Sequence, residues 1–314
     1  MAKRLFAGIE GGGTKFICAV ADENNAILAE ARIPTTNPPE TLQACGDFFA
    51  ARQQALGPLS ALGIACFGPV DPNPTSPTYG KILATPKPGW ANTDVLGPFQ
   101  ARFGLPTAFD TDVNGAVLAE SLWGAGKGLQ NLVYFTIGTG IGAGAIVSGQ
   151  LVHGFLHPEM GHYPLPHDLH ADPFPGVCPF HGDCFEGLAS GPSMRQRWGV
   201  NPEDLPPDHP AWQLEAHYIA LALVNMVYTL APERIILSGG VLHQSQLFPL
   251  VRAELLRLLN GYIQVSLITA GMETYIVPSP FDGKAGLYGA LALAQQAGAE
   301  SPLTNPSLAE TNGN

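Results

Sequence analysis

Over the first third of the chain, apolar residues fall in short runs broken by glycine and polar turns, and this pattern predicts strands. Residues 5–9, 15–20 and 27–33 read as three of them, with Glu10-Gly-Gly-Gly13 at the first turn and Asp22-Glu-Asn-Asn25 at the second. A stretch with helical spacing follows at 39–56. The same order then returns. Residues 132–136 form an apolar strand, Gly138-Thr-Gly-Ile-Gly142 a glycine turn, 143–147 a second strand, Ser148-Gly149 a hairpin turn and 151–152 a third strand. The recurrence predicts a divergent internal duplication, each copy a β-meander whose first turn is rich in glycine.

Further buried strands are expected at 62–67, 107–110 and 234–238, and helices at 114–123, 215–230, 248–258 and 287–296. Alternating strands and helices predict an α/β protein with mixed sheets covered by helices, in two lobes with a cleft between them. The expected division is 1–115 for a smaller N-terminal lobe, completed by the helix near 286–298, and 116–285 for a larger lobe. Residues 164–176 and 201–210 read as proline-rich surface loops, and 301–314 as a disordered tail.

With 314 residues the chain can bury roughly three quarters of its unfolded surface and needs no disulfides. Its five cysteines are an odd number, and Cys18 and Cys66 sit inside apolar runs. No run approaches the length of a membrane span, and the one after Lys3-Arg4 is too short for a signal peptide, so a reducing cytoplasm is expected. A net charge of −11 argues against a nucleic-acid binder, whose affinity depends on clustered Lys and Arg. Any phosphate site must therefore be local, built from backbone N–H groups and a bound cation.

Two turns offer such a site. Glu10-Gly-Gly-Gly13-Thr14-Lys15 sets residues without Cβ atoms before a hydroxyl and an ammonium, which lets backbone donors approach a polyphosphate. Gly138-Thr139-Gly140 can supply the same chemistry from the second copy. Gly140-Ile-Gly142-Ala-Gly144-Ala145 also matches the pattern of dinucleotide binders, but a strand follows it where a helix should open, so that reading fails. No G-x-x-x-x-G-K-[ST] motif occurs either. A third pair, Gly239-Gly240, ends a buried strand where an adenosine could be held.

Asp110 and Asp112 stand at the carboxyl end of a strand, where α/β proteins commonly place their sites. Asp112 could merely cap the next helix. A phosphoryl acceptor, however, needs its hydroxyl oriented and deprotonated, and Asp112 is the expected general base, with Asp110 behind it.

The densest candidate chemistry lies at 159–186. Cys178, His181 and Cys184 are spaced three apart around Gly182, so two sulfurs and an imidazole can converge on a tetrahedral ion. Six of the nine histidines, His153, His157, His162, His167, His170 and His181, fall in this region. Spacing alone therefore does not select a fourth ligand. Glu159 and Glu186 flank the cluster.

Taken together these motifs resemble the ROK family of sugar kinases, most closely its bacterial fructokinase branch, over nearly the whole chain. Gly8-Ile-Glu10-Gly-Gly-Gly13-Thr14-Lys15 is similar to the family's first phosphate motif, Gly138-Thr139-Gly140-Ile-Gly142 to its second and Gly239-Gly240 to its adenosine motif. Thr111-Asp112-Val113-Asn114 resembles the catalytic segment, Glu159-Met-Gly-His162 the sugar and zinc motif, and Cys178 to Glu186 the zinc signature. Tyr79-Gly80 and Lys87-Pro-Gly-Trp90 are similar to the fructokinase branch but carry no assigned chemistry. The resemblance implies a duplicated actin-like ATPase (ribonuclease H-like) fold. It also implies a homodimer of a hexose kinase using ATP and Mg2+, whose lobes close on sugar and nucleotide.

By the same resemblance, Glu10, Gly12, Gly13, Thr14, Lys15, Gly138, Thr139, Gly140, Pro192, Gly239 and Gly240 would hold the nucleotide. Thr111, Asp112, Glu159, His162 and Glu186 would meet the sugar. The resemblance selects His162 as the fourth ligand of a structural Zn2+ beside Cys178, His181 and Cys184, leaving His157, His167 and His170 as solvated loop residues. Three positions depart from the general pattern: Glu10 replaces Asp, Thr111 replaces Asn, and His181 replaces Cys. D-fructose is the expected acceptor, ahead of mannose, glucose or an N-acetyl sugar. Two rival readings are a sugar-sensing repressor, which needs a DNA-binding segment that a first strand at 5–9 leaves no room for, and a zinc hydrolase, which leaves both glycine turns unexplained.

Overall fold

The computed structural model describes residues 4–300, so the expected tail at 301–314 lies outside the described residues. The chain divides into two compact units, one comprising residues up to Asp112 and again from Leu287 onward, the other Val113–Gly286.

In the first unit β1 (Leu5–Gly11), β2 (Lys15–Asp22) and β3 (Ile27–Pro34) form the meander expected from the apolar runs. Helix α1 (Pro38–Leu56) follows, then β4 (Leu59–Cys66), α2 (Gly97–Phe103) and β5 (Thr107–Thr111). Helix α3 (Asp112–Trp123) starts directly at the end of β5. Helix α1 begins cleanly because Asn37 caps it, its side chain accepting the Glu40 N–H at 3.1 Å, with Pro38 at the first helical position.

The second unit repeats the plan with β6 (Leu132–Ile137), β7 (Ile141–Val147) and β8 (Gln150–Leu151). Helices α4 (Phe185–Ala189), α5 (Gly191–Trp198) and α6 (Ala211–Leu230) lead to β9 (Arg234–Ser238), and α7 (Leu247–Leu259) follows it. Two single turns, α8 (Ser266–Thr269) and α9 (Met272–Tyr275), precede β10 (Ile276–Pro278) and α10 (Ala285–Glu300).

The duplication is visible in the sheets. Their orders are β3-β2-β1-β4-β5 and β8-β7-β6-β9-β10. In each, the first three strands pair antiparallel and the last two join in parallel. The central strands are apolar on both faces because helices cover both, whereas β3 alternates buried and exposed positions as an edge strand does. Gly8 and Gly63 stand side by side in β1 and β4. A Cβ on Gly63 would lie 1.9 Å from the carbonyl oxygen of Ala290, and one on Gly8 would press on Leu291, so this glycine pair is the groove into which α10 sinks. One core of the first unit is built on Phe16, Phe49, Trp90 and Phe109, and one of the second on Phe135, Phe185, Trp212 and Met226.

Candidate active site

The first glycine turn joins β1 to β2, and its carbonyls are all engaged from within the unit. Gly11 O accepts the Phe67 N–H at 2.8 Å, Thr14 O the Thr35 N–H at 3.0 Å and Lys15 O the Gly12 N–H at 3.0 Å. The Thr35 hydroxyl donates to Gly12 O at 2.7 Å, and Lys87 Nζ donates to Gly13 O at 2.5 Å. Each of these carbonyls is thereby turned toward a donor within the unit, which lowers the negative potential that an anion would meet at the turn. Gly13 has open space where a Cβ would stand, so a ligand could approach its backbone closely.

Glu10 closes the turn on the β1 side. One carboxylate oxygen, Oε2, is buried without a hydrogen-bond partner. Burial pushes its pKa up to about 7, the negative charge of Asp112 adds to the rise, and Lys15 opposes it. A buried carboxylate beside a second one fits a divalent cation, which favours oxygen ligands and would restore the charged form.

Asp110 and Asp112 separate clearly. Asp110 is buried and accepts the Thr111 N–H at 2.7 Å. Asp112 opens α3 and is partly exposed. Thr111 is buried between them.

In the second unit three nucleotide candidates converge. The Gly138 N–H donates to Gly140 O at 2.9 Å, and Gly138 O accepts the Gly191 N–H at 2.7 Å, which brings Pro192 and the start of α5 to the turn. Gly239 adopts φ +97°, and a Cβ there would lie 2.4 Å from Ile137 O at the end of β6. Gly240 N lies 3.6 Å from where a Cβ of Gly138 would stand. Glu186, on α4, binds the same turn by accepting the Ile141 N–H at 2.9 Å. This contact had no signal in the sequence.

The four candidate metal donors come together. Ligand atoms of His162, Cys178, His181 and Cys184 all lie within 4.8 Å of one another. The Cys178 and Gly182 backbones pair in both directions, at 3.1 and 2.9 Å, and Gly182 takes φ +66° to close the knuckle. His162 Nδ1 is 3.5 Å from Cys184 Sγ and 3.7 Å from Cys178 Sγ, and His181 Nδ1 is 3.6 Å from Cys178 Sγ. A tetrahedral zinc with usual Zn–S and Zn–N distances spans S···N edges of about 3.6 Å, which these three edges match. Burial pushes the Cys184 thiol up to about 11, a proton that a zinc ion would displace. Gly161 holds the Glu159–His162 turn against β7, since a Cβ there would lie 1.9 Å from Ile141 O. The Glu159 side chain is 45% exposed.

Two histidines expected as solvated are not. His157 is buried, its Nδ1 3.4 Å from Pro158 O and 3.7 Å from Glu159 Oε1. The His167 imidazole is 3% exposed. It bridges Asp183 Oδ2 at 3.1 Å and Asp172 O at 2.9 Å. Asp172 in turn accepts the Tyr218 hydroxyl at 2.6 Å and meets Arg197 at 3.3 Å. The Cys178–Cys184 loop is thereby braced, through Asp183, on a buried polar network reaching α5 and α6. His170 is exposed, as expected.

The fold is that of the actin-like ATPase sugar kinases. A ROK family glucokinase from Streptomyces griseus, in complex with glucose and AMPPNP, superposes with a TM-score of 0.74 at 24% identity, covering 94% of this chain and all of that one. Sequence comparison then narrows the class. The ROK family profile matches residues 6–297. A fructokinase from Pediococcus pentosaceus is 44% identical over 93% of this chain and 98% of its own length. One from Zymomonas mobilis is 44% identical over 93% and 97%. The chain belongs to the ROK family. Among the described residues, no helix is long and apolar enough to cross a membrane.

Proposed function

We propose that the chain is an ATP-dependent fructokinase that transfers the γ-phosphoryl group to the 6-hydroxyl of D-fructose. The observation that carries this reading is near-full-length identity of 44% to two fructokinases, joined to a half-buried Asp112 at the end of β5 and a glycine turn whose carbonyls each accept a hydrogen bond from within the unit. Asp112 is the general base. It orients the acceptor hydroxyl and takes its proton as the bond from O6 to phosphorus forms and the bond to the β–γ bridging oxygen breaks. A base in this role contributes about 10²- to 10⁴-fold.

The N–H groups of Gly13 and Thr14, with the Thr14 hydroxyl and Lys15, donate to phosphate oxygens in the first unit, and Thr139 and Gly140 do so in the second, while the Gly12 and Gly138 N–H groups, held by Lys15 O and Gly140 O, shape the two turns. Pro192, Gly239 and Gly240 flank the adenosine. Glu10 would hold Mg2+, which when bound supplies positive charge to the phosphate oxygens. Thr111, Glu159, His162 and Glu186 hold sugar hydroxyls; carboxylates suit this because they accept paired hydrogen bonds.

A Zn2+ held by His162, Cys178, His181 and Cys184 is structural, because four protein ligands leave no open position. It fixes the segment that presents Glu159 and His162. The protein acts as a cytoplasmic homodimer.

The test is ADP release with Mg-ATP across a panel of fructose, mannose, glucose and N-acetyl hexoses. Fructose should give the highest kcat/KM. Preference for another hexose would move the substrate assignment, and binding of a sugar without turnover would replace the kinase reading by a sensor.

A further inference from the structure

The segment Lys87-Pro-Gly-Trp90 has no role in the reaction as drawn so far, yet both its ends are fastened to the first phosphate turn. Trp90 is fully buried. Its ring stacks on Phe16 with centroids 5.2 Å apart, and its indole Nε1 donates to Thr36 O at 2.9 Å. Phe16 directly follows Lys15, so this anchor grips the strand that leaves the turn. From it the chain doubles back, the Trp90 N–H donating to Lys87 O at 3.2 Å. Lys87 is thereby aimed at the turn, where its Nζ reaches Gly13 O.

The donors on the neighbouring carbonyls are backbone amides and one threonine hydroxyl, all neutral and short. Gly13 O alone among Gly11 to Lys15 takes its hydrogen bond from a charged, four-methylene side chain. A neutral donor would satisfy a carbonyl equally well, and fixing a lysine costs rotamer entropy. The other ammonium of the turn, Lys15, is exposed, and its charge lowers the Glu10 pKa. Lys87 is the cation placed at the tip, beside the open face of Gly13.

We propose that Lys87 is a catalytic residue, its ammonium contacting the γ-phosphoryl oxygens of ATP cradled on Gly13 and Thr14. The inference rests on the fructokinase reading above. An anion seated on those N–H groups lies within hydrogen-bond reach of an Nζ already on Gly13 O. Charge grows on the equatorial oxygens as the phosphoryl group loosens from its leaving oxygen, so an ammonium there binds the transition state more tightly than the ground state. Lys87 keeps its protons throughout; the proton of the fructose hydroxyl goes to Asp112. Anchoring by Trp90 sets the ammonium in place before the nucleotide arrives.

Lys87→Gln separates this role from a mere staple, because glutamine can still donate to Gly13 O but carries no charge. Lys87→Arg keeps the charge. With fructose and Mg-ATP both varied, Lys87→Gln should lose about 100-fold in kcat, the scale of a single lost transition-state donor, with fructose KM and unfolding temperature little changed. Lys87→Arg should retain at least about tenfold more activity than Lys87→Gln. Calorimetry with Lys87→Gln should show about tenfold weaker binding of a non-hydrolysable ATP analogue and unchanged binding of ADP, which lacks the γ-phosphate. A kcat for Lys87→Gln within about threefold of wild type, or equal losses for analogue and ADP, overturns the proposal. Failure of the wild-type protein to phosphorylate fructose would instead strike the function on which it rests.

Discussion

Glu10→Gln should stabilise the protein at neutral and alkaline pH while damaging catalysis. Burial, reinforced by Asp112, raises the Glu10 pKa from 4.5 to about 7. At about 1.4 kcal/mol per pH unit, a rise of that size is worth about 3 kcal/mol. Folding therefore tightens the proton, so the cost of burying the charged form is absent well below pH 4.5, develops between about 4.5 and 7, and is fully present above. Glutamine is neutral at every pH and escapes it. Thermal or urea unfolding of both proteins at pH 4 and pH 8 reads the difference. The variant should be more stable by about 3 kcal/mol at pH 8, or about 6 °C and more in Tm, and nearly equal to wild type at pH 4. A gap of the same size at both pH values, or a less stable variant at pH 8, would refute the electrostatic argument. A stabilised variant with poor turnover would show that the sequence accepts a strained carboxylate for the sake of a cation.

Other outcomes follow from the same structure. Elemental analysis should find one zinc per chain, lost in Cys178→Ser together with thermal stability and fructose affinity; a zinc-free variant with unchanged fructose KM would uncouple the knuckle from the sugar. Gly63→Ala should destabilise the first unit by about 3 kcal/mol, because its Cβ would lie 1.9 Å from Ala290 O and α10 cannot recede without uncovering the sheet. Denaturant melts of that variant measure it, and a loss below about 0.5 kcal/mol would mean that α10 yields.

Much of the fold was legible because its strands are continuous apolar runs between glycine turns, a signal that depends on nothing distant. The repeat of that signal at 132–152 was enough to foresee two similar sheets. Helices α4 and α5 were harder to see, since they are only five and eight residues long, too short for an apolar period to repeat, and their stability comes from packing and from the Ser190 cap. The grouping of Cys178, His181 and Cys184 could be read from spacing and His162 only from the resemblance, but His157 and His167 could not be told from solvated histidines. Their burial depends on Pro158, Asp172 and Asp183 meeting them in space. The bond from Lys87 to Gly13 spans 74 positions of sequence, and no local pattern announces it.

The general base is the centre of the account, and kcat for Asp112→Asn with Mg-ATP and fructose tests it most directly. Asparagine keeps the size and the hydrogen-bonding capacity of the side chain but cannot take a proton at neutral pH. The account predicts a kcat lower by at least about 100-fold, with fructose KM and unfolding temperature close to wild type. A kcat within about threefold of wild type would contradict it and leave the reaction without its base.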